Sequence, residues 1–242
     1  MTLVQEWNNT FSQIQREWQS IKEKHISVRE QAQKKVVADW DVLIESIYQE
    51  QAQLRHEGKW VSGPSDLLSI IGRSRRETYH CAIIAWLLDP CAPHGLGTIF
   101  LEKMLQRCVP DEVFQTERLI GAVPKCEVVM PNCRADIVVY APDLTVVVEA
   151  KVDSGERDRQ CADIYKDFHE EPGAQFVFLT PDGKKPVTES DETKAFQTLS
   201  FKDIYDDLSS IADKAKPDNK YPAAFFTIRT YLETLKAEFH GT

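Results

Sequence analysis

The chain has 242 residues, of which 42% are hydrophobic and 28% are charged, and its formal net charge is −9. This length suffices for one substantial core with an appended helical module, and the composition is that of an ordinary soluble globular protein. The negative charge argues against broad, unspecific coating of nucleic acid, although it leaves room for a local basic groove.

The cysteines and the hydropathy pattern indicate the cellular compartment in which the protein is expected. Six cysteines are scattered along the chain without a C-x-x-C pair, and no signal peptide or apolar stretch of transmembrane length is recognisable. Reduced thiols in a cytosol are therefore expected, in preference to disulfides or a zinc site. The sequence predicts a cytoplasmic protein.

The first sixty residues have the pattern of amphipathic helices. Apolar residues recur every three or four positions in two runs, which marks one face of a helix in each. The pattern predicts two antiparallel helices or one long bent helix, with Ser27 as a cap near the second start and Gly58 at the end. The two runs are Leu3, Trp7, Phe11, Ile14, Trp18 and Ile21, then Val36, Val37, Trp40, Leu43, Ile44, Ile47 and Leu54.

The change in texture near residue 60 predicts two domains. Residues 1–60 are interpreted as an N-terminal helical arm or hairpin, and residues 61–242 as the principal domain. The arm either packs on the same domain or serves as a dimerisation or partner-docking arm. A regular coiled coil is not secured by the pattern, because the repeat is short and Trp is an unusual seam residue.

A helical block follows the break at Ser62-Gly63-Pro64. Ser65 is predicted to cap a small helix at Asp66–Ile71, and a stronger helix is expected from about Ser74 to Leu88. In that helix Cys81, Ile84 and Leu88 form an apolar stripe. Glu77 and His80 extend this stripe, because residues three and four apart share a face. After a turn at Asp89-Pro90 the chain passes through Pro93-His94-Gly95 and restarts as a helix near Thr98.

The segment Arg134–Asp153, RADIVVYAPDLTVVVEAKVD, carries the clearest chemical signal. Its two Val-rich runs, separated by Ala-Pro-Asp, predict two successive strands of a hairpin. Side chains alternate along a strand, so Glu149 and Lys151 point to the same side. Charged side chains at the end of so apolar a strand are costly to bury without partners.

A divalent metal ion would compensate for that cost. Hard Mg²⁺ takes carboxylate oxygens, makes a bound water more acidic and neutralises charge that builds on a phosphate. A Lys nearby can orient the water or stabilise the phosphate oxygens. The alternative is a surface hairpin whose Glu149 and Lys151 end a strand in solvent.

Asp136, twelve residues, then Glu149-Ala150-Lys151 resembles the core signature of the PD-(D/E)xK nuclease superfamily. Upstream, E-T-Y-H from Glu77, then A-W-L-L-D-P, then H-G-L-G from His94 closely resemble the helical block of one branch. Downstream, Gly155-Glu156 followed by Gln160 resembles the helix after the catalytic strand. In the family pattern Tyr follows Gln by four positions, whereas Tyr165 lies five after Gln160, which leaves its role open.

The resemblance implies a restriction-endonuclease-like α/β fold, with a mixed central sheet of four or five strands and helices on both faces. Strands are expected at Lys125–Met130, Ala135–Tyr140, Thr145–Lys151 and Gln175–Thr180, with one further strand uncertain. Expected helices include Glu156–Phe168 and one closing the chain from about Tyr221 to Phe239.

The resemblance also implies the site. Asp136 and Glu149 would hold Mg²⁺, for which Mn²⁺ could substitute, with the carbonyl of Ala150 as a further ligand. Lys151 would sit beside the attacking water, and Glu77 would project from its helix to complete the acidic cluster.

Other residues near this set have open alternatives. Ala135 stands where the superfamily's name has Pro, a position that is loosely held. Glu127 competes with Glu77 as the extra acidic ligand, and Glu77 is favoured because a helix-borne Glu fits the branch. Four residues are candidate supporting or nucleic-acid-binding groups, although His80 is as consistent with a core histidine and Arg157 with a solvated helix end; the four are Gln160, His80, His94 and Arg157.

The function implied is that of a Mg²⁺-dependent endonuclease acting on nucleic acid, DNA in preference to RNA. The chain shows no recognisable helix-turn-helix or zinc finger, so we expect low sequence specificity or a specificity supplied by a partner. By family analogy, a regulated role in defence against foreign DNA follows. The alternative is a catalytically silent nuclease-fold subunit that binds or assembles through its N-terminal helices, as a homodimer or with a partner protein.

Overall fold

The computed structural model describes residues 3–110, 112, 114–187, 190–214 and 221–240. The chain forms two compact units, Met1–Ser62 and Gly63–Thr242. None of the helices in these described ranges is both long and apolar enough to cross a membrane.

The first unit is one helix, α1, which spans Leu3–His56 and contains 54 residues. Ser27 lies inside this helix, so the prediction that it caps a second helix is wrong; no Gly or Pro interrupts the chain before Gly58. Gly58 has a φ of +66° and its N–H donates to the Arg55 carbonyl at 3.1 Å. The helix therefore ends at a left-handed glycine, as predicted.

The second unit is built on a five-stranded mixed sheet in the order β1-β2-β3-β4-β5. The first three strands are antiparallel, whereas β3, β4 and β5 run parallel. This sheet confirms the predicted restriction-endonuclease-like α/β class. The strands are β1 Val123–Val129, β2 Arg134–Ala141, β3 Leu144–Ala150, β4 Gln175–Thr180 and β5 Phe196–Ser200.

Helices cover both faces of the sheet because β3 is buried throughout and needs apolar cover on each side. One face carries Val146 and Val148 and joins a core with residues of α3, α4, α7 and α8. The other face carries Val147 and packs on α6. The helices are α2 Leu67–Ile70, α3 Glu77–Leu88, α4 Ile99–Cys108, α5 Thr116–Leu119, α6 Gln160–Phe168, α7 Phe201–Lys214 and α8 Pro222–Phe239.

Three helix starts differ from the prediction, and the first is that of α3, which begins at Glu77 and not at about Ser74. The cap of α2 is Asp66 and not Ser65, because the Asp66 carboxylate accepts the N–H of Ser69 at 3.0 Å. Helix α6 begins at Gln160 and not at Glu156, since Arg159 has a left-handed φ of 57° that a helix does not allow. The chain between Lys151 and α6 is consequently a loop, residues 152–159.

Candidate active site

The β2–β3 pairing brings Asp136 and Glu149 together. Ile137 is paired with Val148, and one step further along the same register Asp136 lies opposite Glu149. Directly opposed residues of an antiparallel pair share a face and lie within about 5.5 Å of one another at Cβ. The β2–β3 hairpin thus brings together two acids that are separated in the sequence.

Glu149 is fully buried, and its two oxygens differ. Oε1 accepts hydrogen bonds from Lys151 Nζ and from Gln160 Nε2. Oε2 is buried and has no hydrogen-bond partner among the described residues. Burial, reinforced by the Asp136 carboxylate, raises the pKa of Glu149 to about 8. An unpaired buried carboxylate oxygen is costly, so in the metal-free protein the group keeps its proton, and a cation at this oxygen would be stabilised in the proton's place.

Asp136 is half-buried and is oriented by the backbone of the neighbouring strand. Its Oδ2 accepts the Ala150 N–H at 2.9 Å. Burial raises the pKa of Asp136, although the hydrogen bond from Ala150 and the charge of Lys151 act in the opposite direction. The backbone N–H thus directs the carboxylate toward the end of β3, where Glu149 lies.

Lys151 provides the positive charge of the cluster. Its Nζ pairs with Glu149 and lies 3.2 Å from the Ala150 carbonyl and 3.9 Å from Glu77 Oε1. Burial acts to lower the pKa of Lys151, but the surrounding carboxylates outweigh burial and raise it. The ammonium is therefore held charged among the carboxylates.

Glu77 reaches the same cluster from the first turn of α3. Its Oε2 accepts the Ser154 hydroxyl at 2.7 Å and the Val152 N–H at 3.3 Å. Glu127, the competing acid, is exposed on β1 with a φ of 52°, and Arg134 lies 3.3 Å from it. These contacts favour Glu77 over Glu127 as the extra acidic group.

The remaining predicted site residues divide into two groups. Gln160 joins the cluster: it donates to Glu149 and accepts the Arg157 N–H at 3.2 Å. Arg157 is exposed in the loop before α6, so a phosphate of a substrate could contact it. His80 and His94 do not join the cluster.

Both histidines are engaged inside the protein. His80 is fully buried, with Nδ1 3.0 Å from the Tyr231 hydroxyl and Nε2 2.7 Å from the Ser74 carbonyl. His94 accepts the Leu96 N–H on Nδ1, which leaves Nε2 to donate to the Trp86 carbonyl at 2.9 Å. Burial lowers the pKa of each. The structure therefore supports structural roles for both and not contact with nucleic acid.

Sequence reasoning missed Ser154. The segment Asp153-Ser154-Gly155-Glu156, the D-S-G-E block, contains the Gly155-Glu156 pair of the resemblance, but no role was derived for its serine. Its hydroxyl holds Glu77, a residue 77 positions earlier in the chain. Only the block's place directly after the Glu-x-Lys strand pointed to it.

The cluster offers carboxylate oxygens, the type of donor atom that a hard cation binds. Within the described ranges, no three Asp, Glu, His or Cys side chains are grouped closely enough to hold a metal ion by themselves, and the Lys151 ammonium lies among the carboxylates. Asp136 and the unpaired Oε2 of Glu149 nevertheless offer the carboxylate oxygens that Mg²⁺ prefers. These two residues are the ones that would hold the ion.

The raised pKa of Glu149 predicts how stability changes with pH. The folded protein holds this proton up to about pH 8, whereas the unfolded chain releases it near 4.5. The metal-free protein should therefore lose stability as pH rises through that window, by on the order of a few kcal/mol in total.

Denaturant unfolding at pH 5, 6.5 and 8 measures this slope. Glu149→Gln should flatten it, since glutamine does not titrate, whereas the exposed Glu170→Gln is a control that should leave it unchanged. A slope of equal size in Glu149→Gln would show that another group is responsible.

Comparison with known proteins identifies the family and agrees with the fold. A family model described as PD-(D/E)XK nuclease superfamily matches residues 65–233, a range that includes α3, the whole sheet and the acidic cluster. Searches of curated proteins and of solved structures found no significant match. The match extends over well more than half of the chain, and the chain therefore belongs to the PD-(D/E)XK nuclease superfamily.

Proposed function

We propose that this protein is a Mg²⁺-dependent endonuclease that hydrolyses phosphodiester bonds of DNA. The observation that carries the proposal is the buried, unpaired Oε2 of Glu149, which lies on a strand opposite Asp136 and beside Lys151. A structural ion pair would satisfy both oxygens, because leaving one unpaired costs stability. A cation site explains why the atom is kept.

The residues of the cluster have separate roles. Asp136 and Glu149 hold the ion, with the Ala150 carbonyl and Glu77 as further oxygen donors, and Mn²⁺ is expected to substitute. A bound Mg²⁺ supplies positive charge that stabilises the transition state of phosphodiester hydrolysis. Lys151 orients the attacking water by donating a hydrogen bond from Nζ, and its positive charge stabilises the phosphate oxygens in the transition state.

Two further residues support the cluster from α6 and the loop before it. The Gln160 amide fixes the rotamer of Glu149 by donating to Oε1. The exposed Arg157 contacts a phosphate of the substrate strand.

DNA is proposed over RNA, with a role in defence against foreign DNA, by analogy with the family. The sequence shows no recognisable DNA-reading module, so recognition in this proposal is weakly sequence-specific. The test incubates purified protein with linear, circular and single-stranded DNA and with RNA, each with Mg²⁺, Mn²⁺ or a chelator. Cleavage that persists in the chelator would refute the metal requirement, and cleavage of RNA alone would refute the choice of DNA.

One observation favours a second candidate, a silent binding or assembly subunit. Helix α1 exposes a long apolar stripe, in which Trp7 is 74% and Trp18 is 67% exposed. Exposed stripes of this size mark interaction surfaces. Titration calorimetry distinguishes the candidates: no heat with Mg²⁺ or Mn²⁺, together with a binding partner for α1, would favour the silent subunit.

For the nuclease itself, we propose that α1 pairs with α1 of a second copy. The stripe follows the helix for most of its 54 residues, and a second copy supplies a face of equal length and matching chemistry. Such a dimer would hold two nuclease units on one assembly, which suits cutting both strands of a duplex.

Removal of residues 1–57 should therefore reduce the mass seen by light scattering to that of one chain, because the proposed interface is lost. It should also favour nicking over double-strand breaks in a plasmid assay. Trp18→Asp should have the same effect on mass, whereas Lys34→Asp, on nearly the opposite side of the helix, should not. Full-length protein that is monomeric at micromolar concentration would refute the dimer.

A further inference from the structure

The N-terminus of α3 and the 152–159 loop are joined by two sets of contacts. The outer set is the Arg75–Asp153 ion pair, in which Arg75 Nε lies 3.0 and 2.9 Å from the two carboxylate oxygens. Arg75 Nη2 makes a further contact with Asp153, and Nη1 lies 3.3 Å from Glu238 on α8. The guanidinium is therefore fixed by several contacts and not by one.

A ring also limits the motion of Arg75. The guanidinium carbon lies 5.5 Å from the centre of the Phe239 ring, within the range of a cation–π contact. The pKa of Asp153 lies below its usual value, chiefly because Arg75 donates to it. The outer pair is exposed, so its contribution to global stability is small, but its geometry is well defined.

The inner set of contacts holds Glu77. The Val152 N–H and the Ser154 hydroxyl, on either side of Asp153, both donate to Glu77 Oε2. The other oxygen, Oε1, is left facing Lys151 at 3.9 Å. Val152 and Ser154 flank Asp153, the residue that Arg75 binds. Movement of the Arg75–Asp153 pair would therefore move both hydrogen-bond donors to Glu77 together.

We propose that the Arg75–Asp153 pair is a positioning device that, through Val152 and Ser154, sets the direction of the Glu77 carboxylate toward the metal and Lys151. This inference rests on the proposed function, since it assigns two residues outside the signature to the same site. Arg75 and Asp153 are positioning residues and touch neither substrate nor metal. Ser154 is the link that transmits their position.

The geometry gives a reason for this device. Glu77 lies on a helix, whereas Asp136 and Glu149 lie on strands, so the sheet alone does not fix Glu77 relative to them. Catalytic groups must be held to a fraction of an ångström by residues around them. The 152–159 loop, held at Asp153 by Arg75, supplies that constraint from outside the sheet.

A double-mutant cycle on the full chain tests the proposal, using Arg75→Gln, Asp153→Asn and both together. Hydrogen exchange of the Val152 amide is measured without metal, and Mn²⁺ affinity is measured by calorimetry. Each single variant should accelerate that exchange and weaken Mn²⁺ on the order of fivefold. The double variant should be no worse than either single one, because the pair acts as a unit.

Controls separate positioning from stability. The Arg229–Asp213 pair, at 3.4 Å on the surface of α8 and α7, is a matched pair away from the loop. Arg229→Gln should change neither readout. Ser154→Ala should weaken Mn²⁺ with the Arg75–Asp153 pair intact, and Ser154→Thr, which keeps the hydroxyl, should restore it.

Amide exchange tests the positioning role and metal binding tests the proposed function, so either proposal can be overturned without the other. If the Val152 amide exchanges at the wild-type rate in both single variants, the positioning role is overturned, even where wild-type Mn²⁺ binding supports the proposed function. If wild-type protein binds no Mn²⁺ or Mg²⁺, the proposed function is overturned, while faster exchange in the variants still supports control of Glu77 by the pair. A fall in melting temperature without either change overturns the positioning role in favour of a structural one.

Discussion

Replacement of Lys151 by Ala should lower the cleavage rate by roughly 10²- to 10⁴-fold, the range observed when a positioned proton-transfer or charge-stabilising group is lost. The buried ammonium lies at the centre of the cluster, next to Glu149 and within 3.9 Å of Glu77. No other cation contacts Glu149 within the part of the chain that the structure describes. A plasmid cleavage time course with Mg²⁺ measures the change.

Metal binding should survive the same substitution. Lys151 donates to Glu149 Oε1, so its removal frees a carboxylate oxygen and removes a competing positive charge. Calorimetry should then show an affinity for Mn²⁺ equal to or tighter than that of the wild type. Lys166→Ala, on the exposed side of α6, is the control and should change neither quantity. Full activity in Lys151→Ala would exclude this residue from the mechanism.

Asp136→Asn should abolish the thermal stabilisation that Mg²⁺ or Mn²⁺ gives. The Asp136 carboxylate is one of the two that would hold the ion, and a neutral amide is a much weaker ligand for a hard cation. A ligand that binds only the folded state stabilises it by RT ln(1 + L/Kd), where L is the free ligand concentration, so loss of binding removes the shift in melting temperature. Thermal melts with and without each metal measure the effect.

The metal-free Asp136→Asn protein should be as stable as the wild type or more stable. The Asp136 charge helps to raise the pKa of Glu149, so its removal makes ionisation of Glu149 in the folded protein less costly. The amide oxygen can still accept the Ala150 N–H that Oδ2 accepts now at 2.9 Å. Asp206→Asn, in a surface pair with Lys202, is the control. Clear destabilisation would mean that Asp136 is a structural hydrogen-bonding residue.

Local composition was sufficient to predict the strands that carry the candidate site. RADIVVYA and LTVVVEA are Val-rich runs on either side of a turn, and side chains alternate along any strand, so both strands and the shared face of Glu149 and Lys151 were predictable. The family resemblance then pointed to Glu77, and its placement in the first turn of α3 follows from the start of that helix.

Local pattern also had limits within single helices. Ser27 and Ser65 have the chemistry of caps, but a cap functions only where the helix actually begins. Helix α1 continues through Ser27 to Gly58, and Asp66 accepts the bond at the start of α2. Asp and Ser are about equally good N-caps, so local chemistry does not decide between Ser65 and Asp66, and a serine inside a helix-forming run does not by itself start a new helix.

Tertiary structure alone decided which polar residues face the site. His80 lies three residues after Glu77, a spacing that predicts a shared face, yet α3 is buried on several sides and His80 contacts Tyr231 of α8. The family resemblance favoured Glu77 over Glu127, but the physical reason lies in the 152–159 loop and in a left-handed residue of β1. These are contacts between distant segments, which no local pattern encodes.

The sequence by itself determined the type and face of the reactive groups, because strand alternation and helix period are local properties of the chain. The folded structure decided their environment: the full burial of Glu149, its unpaired Oε2, and the pairing of Arg75 with Asp153 across 78 residues. Burial and pairing arise only when strands and helices pack, since desolvation depends on every neighbouring segment at once.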